Sequence, residues 1–269
     1  MREPVRILSD LHLGHKVSRV EQVESLRPLI AGAGTVVFNG DTWQELLAPM
    51  RERSAAMLAE LRAICTEEGV DTVFLSGNHD PGWPGDGWIS LARGRIIVTH
   101  GDTLPFDGSP WKREILAGSA RVTELWTQHP NAETDVSERV KLAREMSRAL
   151  CSVEISRGRS FLQRAFDAAC PPKRAIKILQ AWFTQPSAGE AFCSRYFPSA
   201  EFLILGHFHR QGCWLRGGRR IINTGSFMNP GRAHWVEWNQ GRLSRGVINE
   251  SPTHCRIGKT LGLWKLDDS

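Results

Sequence analysis

An α/β fold carrying an inserted block of helices is what this chain predicts, on three observations. In the first hundred residues short β-branched runs alternate with helical stretches, the alternation that builds a sheet with helices on its faces. From about residue 105 to 198 the strand signals stop and long helical runs take over. Beyond 198 strand signals return, four of them paired across Gly-containing turns. One α/β domain over 1–269, with a helical cap at about 106–198, accounts for all three.

Taken in order, 5–8 is the first strand, and 18–31 has apolar residues near helical spacing (Val20, Val23, Leu26, Leu29, Ile30) before Gly32 and Gly34 end it. The next strand begins at 35–38, a long amphipathic helix covers 45–68, and 71–75 is a third strand. Residues 88–92 and 95–99, separated by Arg93-Gly94, form a hairpin, so one sheet edge is already antiparallel. Within the helical block, Pro171-Pro172 and Pro186 are expected breaks. Strands then follow at 201–205, 213–216, 219–223, 235–239 and 242–248, with turns at Gly217-Gly218 and Gln240-Gly241. The tail after Glu250 shows no pattern.

Composition narrows the function classes. With 269 residues, 41% hydrophobic and 23% charged, the chain has ample material for one sizeable core, which excludes disorder and fibrous repeats. No run of about 18 apolar residues is present, and the charged N-terminus makes no signal peptide, so a cytoplasmic protein without a transmembrane segment is expected. Six scattered cysteines without a C-x-x-C pair suggest free thiols rather than a zinc knuckle or disulfide framework. A formal charge of +5 favours anionic partners but is modest for this length.

The informative residues sit just past the strands. Asp10 and His12 follow the first, Asp41 the second, Asn78, His79 and Asp80 the third, His100 the strand at 95–99, and His207 and His209 the strand at 201–205. Ligand sites in such sheets lie beyond the carboxyl ends of the strands, so five loops converge there. Alone, each residue has an ordinary explanation as a turn, cap or buried imidazole. Jointly they offer carboxylate, imidazole and amide oxygen, a mixed N/O set suited to Mn²⁺, Fe²⁺ or Zn²⁺. Glycines before Asp41, Asn78 and His207 let the backbone pass close to such a centre.

The ordered blocks D-L-H at 10–12, G-D at 40–41, G-N-H-D at 77–80, H-G-D at 100–102 and G-H-F-H at 206–209 resemble the calcineurin-like metallophosphoesterase superfamily over nearly the whole chain. That resemblance implies a sandwich of two mixed β-sheets flanked by helices. It also implies two divalent metal ions, Mn²⁺ favoured, bridged by Asp41. Asp10, His12 and His209 would complete the first metal's ligands, and Asn78, His100 and His207 the second's. Two cations sharing one water would supply hydroxide for in-line attack on phosphorus. His79 resembles the family's catalytic histidine, which bonds a phosphate oxygen or protonates the leaving group. Asp80 reads equally as the group orienting His79 or as a turn carboxylate.

The cap's position between the H-G-D and G-H-F-H blocks, and the string H-G-D-T-L at 100–104, are similar to the UDP-diacylglucosamine pyrophosphohydrolases of lipid A synthesis. That subfamily usually has Arg where this chain has His79. The cap mixes an excess of basic residues with Trp111, Trp126, Phe161, Phe166, Trp182 and Phe183, which suggests an apolar groove with a basic mouth. The expected function is hydrolysis of a phosphoester or pyrophosphate bond. A lipid-linked nucleotide leads among substrates, with contact to a membrane surface through the cap. A generic phosphodiesterase, phosphomonoesterase or nucleotidase acting on a phosphorylated small molecule comes second, and a nuclease third, for want of a dense basic stripe with stacking aromatics. A catalytically silent scaffold is the non-enzyme alternative. His15 reads as a surface or structural residue that lies near enough to Asp10 and His12 to touch substrate, Arg210 as a phosphate ligand or a solvated arginine, and 223–226 as a tight turn.

Overall fold

In the computed structural model, residues 1–105, 119–149, 151, 172–251 and 253–266 are described. Two mixed sheets pack face to face between helices. The first has the order β11-β10-β9-β1-β2-β3, built from β1 (Val5–Leu8), β2 (Thr35–Asn39), β3 (Asp71–Leu75), β9 (His234–Asn239), β10 (Arg242–Glu250) and β11 (Cys255–Lys265). The second has the order β4-β5-β6-β8-β7, built from β4 (Trp88–Leu91), β5 (Ile96–Thr99), β6 (Phe202–Leu205), β7 (Gly212–Arg216) and β8 (Arg219–Asn223). Strands β1, β2 and β3 run parallel, as do β5, β6 and β8; β9 returns antiparallel to β1.

Period-two alternation builds the layers. Ile7, Val37, Ile96, Val98, Ile204, Ile222 and Val236 point inward and form the core between the sheets. Leu8, Val36 and Phe38 point outward onto α1 (Arg27–Ile30) and α2 (Ala48–Glu67), while Ile97, Leu203 and Ile221 meet Phe192 and Cys193 of a long helix on the opposite face. Every strand at the centre is thus buried on both faces, which is why these strands read as unbroken apolar runs. On α2, Ser54, Met57, Leu58, Leu61, Ile64 and Cys65 are buried, a three-and-four spacing that makes one face of a helix.

Two helical expectations need correction, and the tail proves to be a strand. Across 18–31 only a 3₁₀ turn (Val23–Leu26) and α1 are helical. Ser18 instead forms a bridge with Met228, and the Arg19 N–H donates to the Phe227 carbonyl, so tertiary pairing overrides local propensity there. The apolar residues of that stretch are nonetheless all buried. Helix α2 starts at Ala48 rather than at 45 because the Glu45 and Leu46 N–H groups are taken by the His79 carbonyl, and Pro49 sits in the first turn. The tail after Glu250, unreadable in sequence, supplies β11, an edge strand whose residues are mostly exposed and so lack alternation.

Between β5 and β6 lie α3 (Ser119–Gln128), α4 (Val136–Ala149) and α5 (Pro172–Tyr196). Trp111, Phe161, Phe166 and the break at Pro171 fall outside the described residues. Pro172 opens α5, but Pro186 lies inside that helix instead of ending it. Proline cannot bond the Trp182 carbonyl one turn back. That oxygen accepts from Arg210 Nη1 at 2.8 Å and Gln185 Nε2 at 3.3 Å. The arginines of α4 are likewise used for docking. Arg139 donates to the Thr103 and Pro105 carbonyls, Arg144 to Ser76 Oγ and the Gly85 carbonyl, and Arg148 to the Pro81 carbonyl. Lys141 pairs with Glu138, leaving Glu145 to His129.

His129 joins α3 to α4 through Glu138 and Glu145, at 3.0 and 3.1 Å. Burial opposes charge on the ring, but hydrogen bonds to Glu145 and Glu138 outweigh it and raise the pKa. A raised folded pKa stabilises fully below the unfolded value of about 6.5 and is lost as pH climbs through the folded one. Thermal melts of the wild type and His129→Gln should therefore differ most near pH ~6 and converge by about pH 9. A pH-independent gap would remove this ion pair from the account.

Candidate metal centre

The carboxyl ends of β1, β2, β3, β5 and β6 open on one side of the sandwich, and the loops leaving them pair in the order of their strands. The Asp10 N–H donates to the Gly40 carbonyl, His12 N–H to the Asp41 carbonyl, and Gly206 N–H to the His100 carbonyl. Asp10, His12, Asp41, His207 and His209 all hold positive φ, between 48° and 65°. Non-glycine residues avoid that region at a cost of roughly 1–2 kcal/mol each, so the surrounding bonds must hold them there. Two glycines make the approach possible. A Cβ on Gly206 would lie 2.2 Å from Asp10 Oδ2, and one on Gly40, at φ +75°, 2.4 Å from His100 Cγ.

One atom each from Asp10, His12, Asp41 and His209 lies within 4.8 Å of all the others. His209 Nε2 is 3.2 Å from Asp10 Oδ1 and 3.3 Å from His12 Nε2; His12 Nε2 is 3.6 Å from Asp41 Oδ2. Ligand atoms about 2.1 Å from a shared cation stand roughly 3.0–3.4 Å apart; His209 Nε2 already has that spacing to Asp10 and His12, while His12 is slightly farther from Asp10 and Asp41, at 3.8 and 3.6 Å. The other expected residues adjoin this group in pairs. His100 Nε2 is 3.4 Å from Asp41 Oδ2, and Asn78 Oδ1 is 2.8 Å from His207 Nδ1, with the His100 and His207 rings 5.1 Å apart.

Two observations fit a cation. His100 Nε2 and His207 Nε2 are buried with no hydrogen-bond partner among the described residues, an expensive state for imidazole nitrogen. His100 also donates Nδ1–H to the Asn39 carbonyl at 3.0 Å, which leaves Nε2 turned toward Asp41 Oδ2 at 3.4 Å. The electrostatics agree at Asp41, His12 and His207 but not at His100: burial opposes charge on that ring, yet Asp41 outweighs it and raises its pKa well above the usual range, so a cation there would have to displace the Nε2 proton. Burial alone would raise the Asp41 pKa, but His100, His79 and His12 outweigh it and hold the carboxyl well below its usual range. Burial keeps His12 and His207 well below theirs, so both are neutral and have a lone pair to give.

Asp80 is fully buried. Its Oδ1 accepts from the Asp41 and Gly77 N–H groups at 2.9 Å each, and its Oδ2 from Thr42 N–H at 2.8 Å and Trp83 Nε1 at 3.0 Å. These bonds tie Asp80 to the loop that carries Asp41, as the turn-carboxylate reading expects. His79 Nδ1 is met at 2.7 Å by Gln44 Oε1, and the other end of that amide, Nε2, is 3.0 Å from His12 Nδ1. Sequence inspection missed Gln44, since an uncharged amide three residues beyond Asp41 carries no signal of its own. His79 is half-buried, its ring 4.8 Å from that of His12.

The remaining candidates divide. Arg210 is half-buried; its Nη1 donates to the Trp182 carbonyl and its guanidinium lies over the Phe183 ring at 4.9 Å. His15 sits 6.1 Å from His12, its pKa pushed down to about 4 by burial and by His79 and His209. At 223–226 the turn is real, with Gly225 N–H donating to Asn223 Oδ1, but Asn223 Nδ2 also holds the Gly206 carbonyl at 2.6 Å.

No family model and no curated protein matches this chain. Among solved structures it is similar to a conserved uncharacterized protein, a predicted phosphoesterase, from Streptococcus pneumoniae (16% identity, 98% of this chain and 99% of that one, TM-score 0.40). It is also similar to Vps29 from Chaetomium thermophilum (11%, 98% and 97%, TM-score 0.47) and to a dimetal phosphatase from Danio rerio (13%, 96% and 99%, TM-score 0.46). Likenesses at this level carry no argument about function.

Proposed function

We propose that this site hydrolyses phosphoester or phosphoric anhydride bonds with the help of two divalent cations. The observation that carries the reading is the closed set of Asp10, His12, Asp41 and His209 donor atoms, with His100 Nε2 3.4 Å from the same Asp41 oxygen that His12 meets. Asp10, His12 and His209 would hold one ion, Asn78, His100 and His207 the other, and Asp41 both. When bound, such a pair acidifies a water to serve as nucleophile and neutralises phosphoryl oxygens. His79, half-buried at the rim, would donate a proton to the departing oxygen. Asn39 and Gln44 would keep His100 and His12 turned toward the ions.

A proton donor matters most when the leaving group is a poor one. His79→Ala should cost about 10²–10⁴-fold on an alkyl phosphodiester and much less on a nitrophenyl ester. Equal losses on both would take His79 out of the proton-donor role.

For substrate, the exposed stripe of Ile176, Leu179 and Phe183 on α5 supports a lipid-linked nucleotide, and a membrane surface as the place of encounter, over a free nucleotide. A screen of metal-supplied protein against a UDP-linked lipid, nucleotides, cyclic nucleotides and single-stranded DNA tests both levels. Cleavage of none of them would favour a silent scaffold, and salt-sensitive DNA cleavage a nuclease.

A further inference from the structure

We infer that Trp182 is a positioning residue: from the cap helix α5 it fixes the backbone in front of His209, and so the direction from which that histidine meets the first cation. The inference rests on the proposed function and deepens it.

His207 and His209 hold φ at 65° and 54°. Rotation about φ swings the preceding peptide group, so whatever grips the carbonyl of residue 206 sets φ at His207, and whatever grips that of residue 208 sets φ at His209. Both carbonyls are gripped, and both grips lead back to one turn of α5. Trp182 Nε1–H donates to the Phe208 carbonyl at 2.8 Å. The Gly206 carbonyl accepts from Asn223 Nδ2 at 2.6 Å, and the same amide nitrogen donates at 2.9 Å to Oε1 of Gln185, which is fully buried.

The two histidines depend on α5 to different degrees. At His207 the loop also closes on itself, because Phe208 N–H donates to the Gly206 carbonyl at 2.7 Å and His207 N–H reaches the Asp10 carboxylate at 3.1 Å. At His209 the hold comes from the helix, and it is reciprocal. Arg210, the next residue, donates from Nη1 to the Trp182 carbonyl at 2.8 Å, the oxygen that Pro186 leaves without its helical partner. Bonds to one tryptophan therefore bracket His209 on both sides. Without the indole N–H, residue 209 can relax toward ordinary φ, and a cation must restore the unfavourable conformation on binding, which weakens its affinity.

The test is titration of metal-free, full-length protein with Zn²⁺, followed by calorimetry and by the histidine ring signals in ¹H–¹³C NMR, with His207→Ala and His209→Ala for assignment. In Trp182→Phe, which keeps an aromatic ring and removes the N–H, the His209 signal should need about 10–100-fold more Zn²⁺ than in the wild type, while His207 responds within a few-fold of it. Thr184→Ala, exposed on the same helix, should leave both responses unchanged. If His209 in Trp182→Phe responds as in the wild type, or weakens no more than His207, the bond only docks the cap: the inference is overturned and the hydrolase reading stands. Zn²⁺ binding at neither histidine of the wild type would overturn both. Should Trp182→Phe not fold, Arg210→Met breaks the lock from the loop side; the same selective loss at His209 is expected, and its absence overturns the inference equally.

Discussion

Asp41→Asn should lower turnover of an activated aryl phosphodiester by about 10³-fold or more, some 4 kcal/mol of barrier, while the protein stays folded. The reason is local. Asp41 Oδ1 already accepts the His79 N–H at 2.8 Å, and an asparagine oxygen can keep that bond. The other position, now Oδ2 within 3.4–3.6 Å of His100 and His12, would become an NH₂ group that can bind no cation. The backbone bonds of residue 41 to Asp80 and His12 do not involve its side chain, so circular dichroism and the melting temperature should change little. Turnover within a few-fold of the wild type would show that the carboxylate bridges nothing.

A different outcome is expected at Asp80. Replacement by alanine would strand the buried N–H groups of Asp41, Gly77 and Thr42 and the Trp83 indole in a site with no room for bulk water. Leaving a buried donor unpaired costs ~1–3 kcal/mol, so with these donors stranded Asp80→Ala should lose at least about 3 kcal/mol of stability. It should also lose metal affinity, because the Asp41 loop would no longer be held at positive φ. Denaturant unfolding measures the first and calorimetric titration with Mn²⁺ or Zn²⁺ the second. A loss under about 1 kcal/mol would mean that the loop keeps its shape by other means.

Much of this architecture was legible because burial and chemistry left separable marks. Strands buried on both faces, β1, β2, β5 and β6, read as apolar runs, and the candidate ligands fell immediately after them and after the edge strand β3, so all five were located together with the residues at their ends. The failures came where a third partner decides. The stretch at 18–31 has helical spacing but gives its first residues to Met228 and Phe227, more than two hundred positions away. Pro186 stays helical because Arg210, from another loop, satisfies the carbonyl it frees. Asp80 and Gln44 lie near His79 in the fold, and only the direction of their hydrogen bonds shows which one meets its ring.

The central claim is a pair of cations flanking one carboxylate. Anomalous diffraction at the metal edge, on crystals grown with Mn²⁺ or Zn²⁺ supplied, tests it most directly. The account predicts two peaks on either side of Asp41, one against His12 and His209 and the other against His100 and His207. Crystals so supplied that show no peak within bonding distance of Asp41 would contradict it.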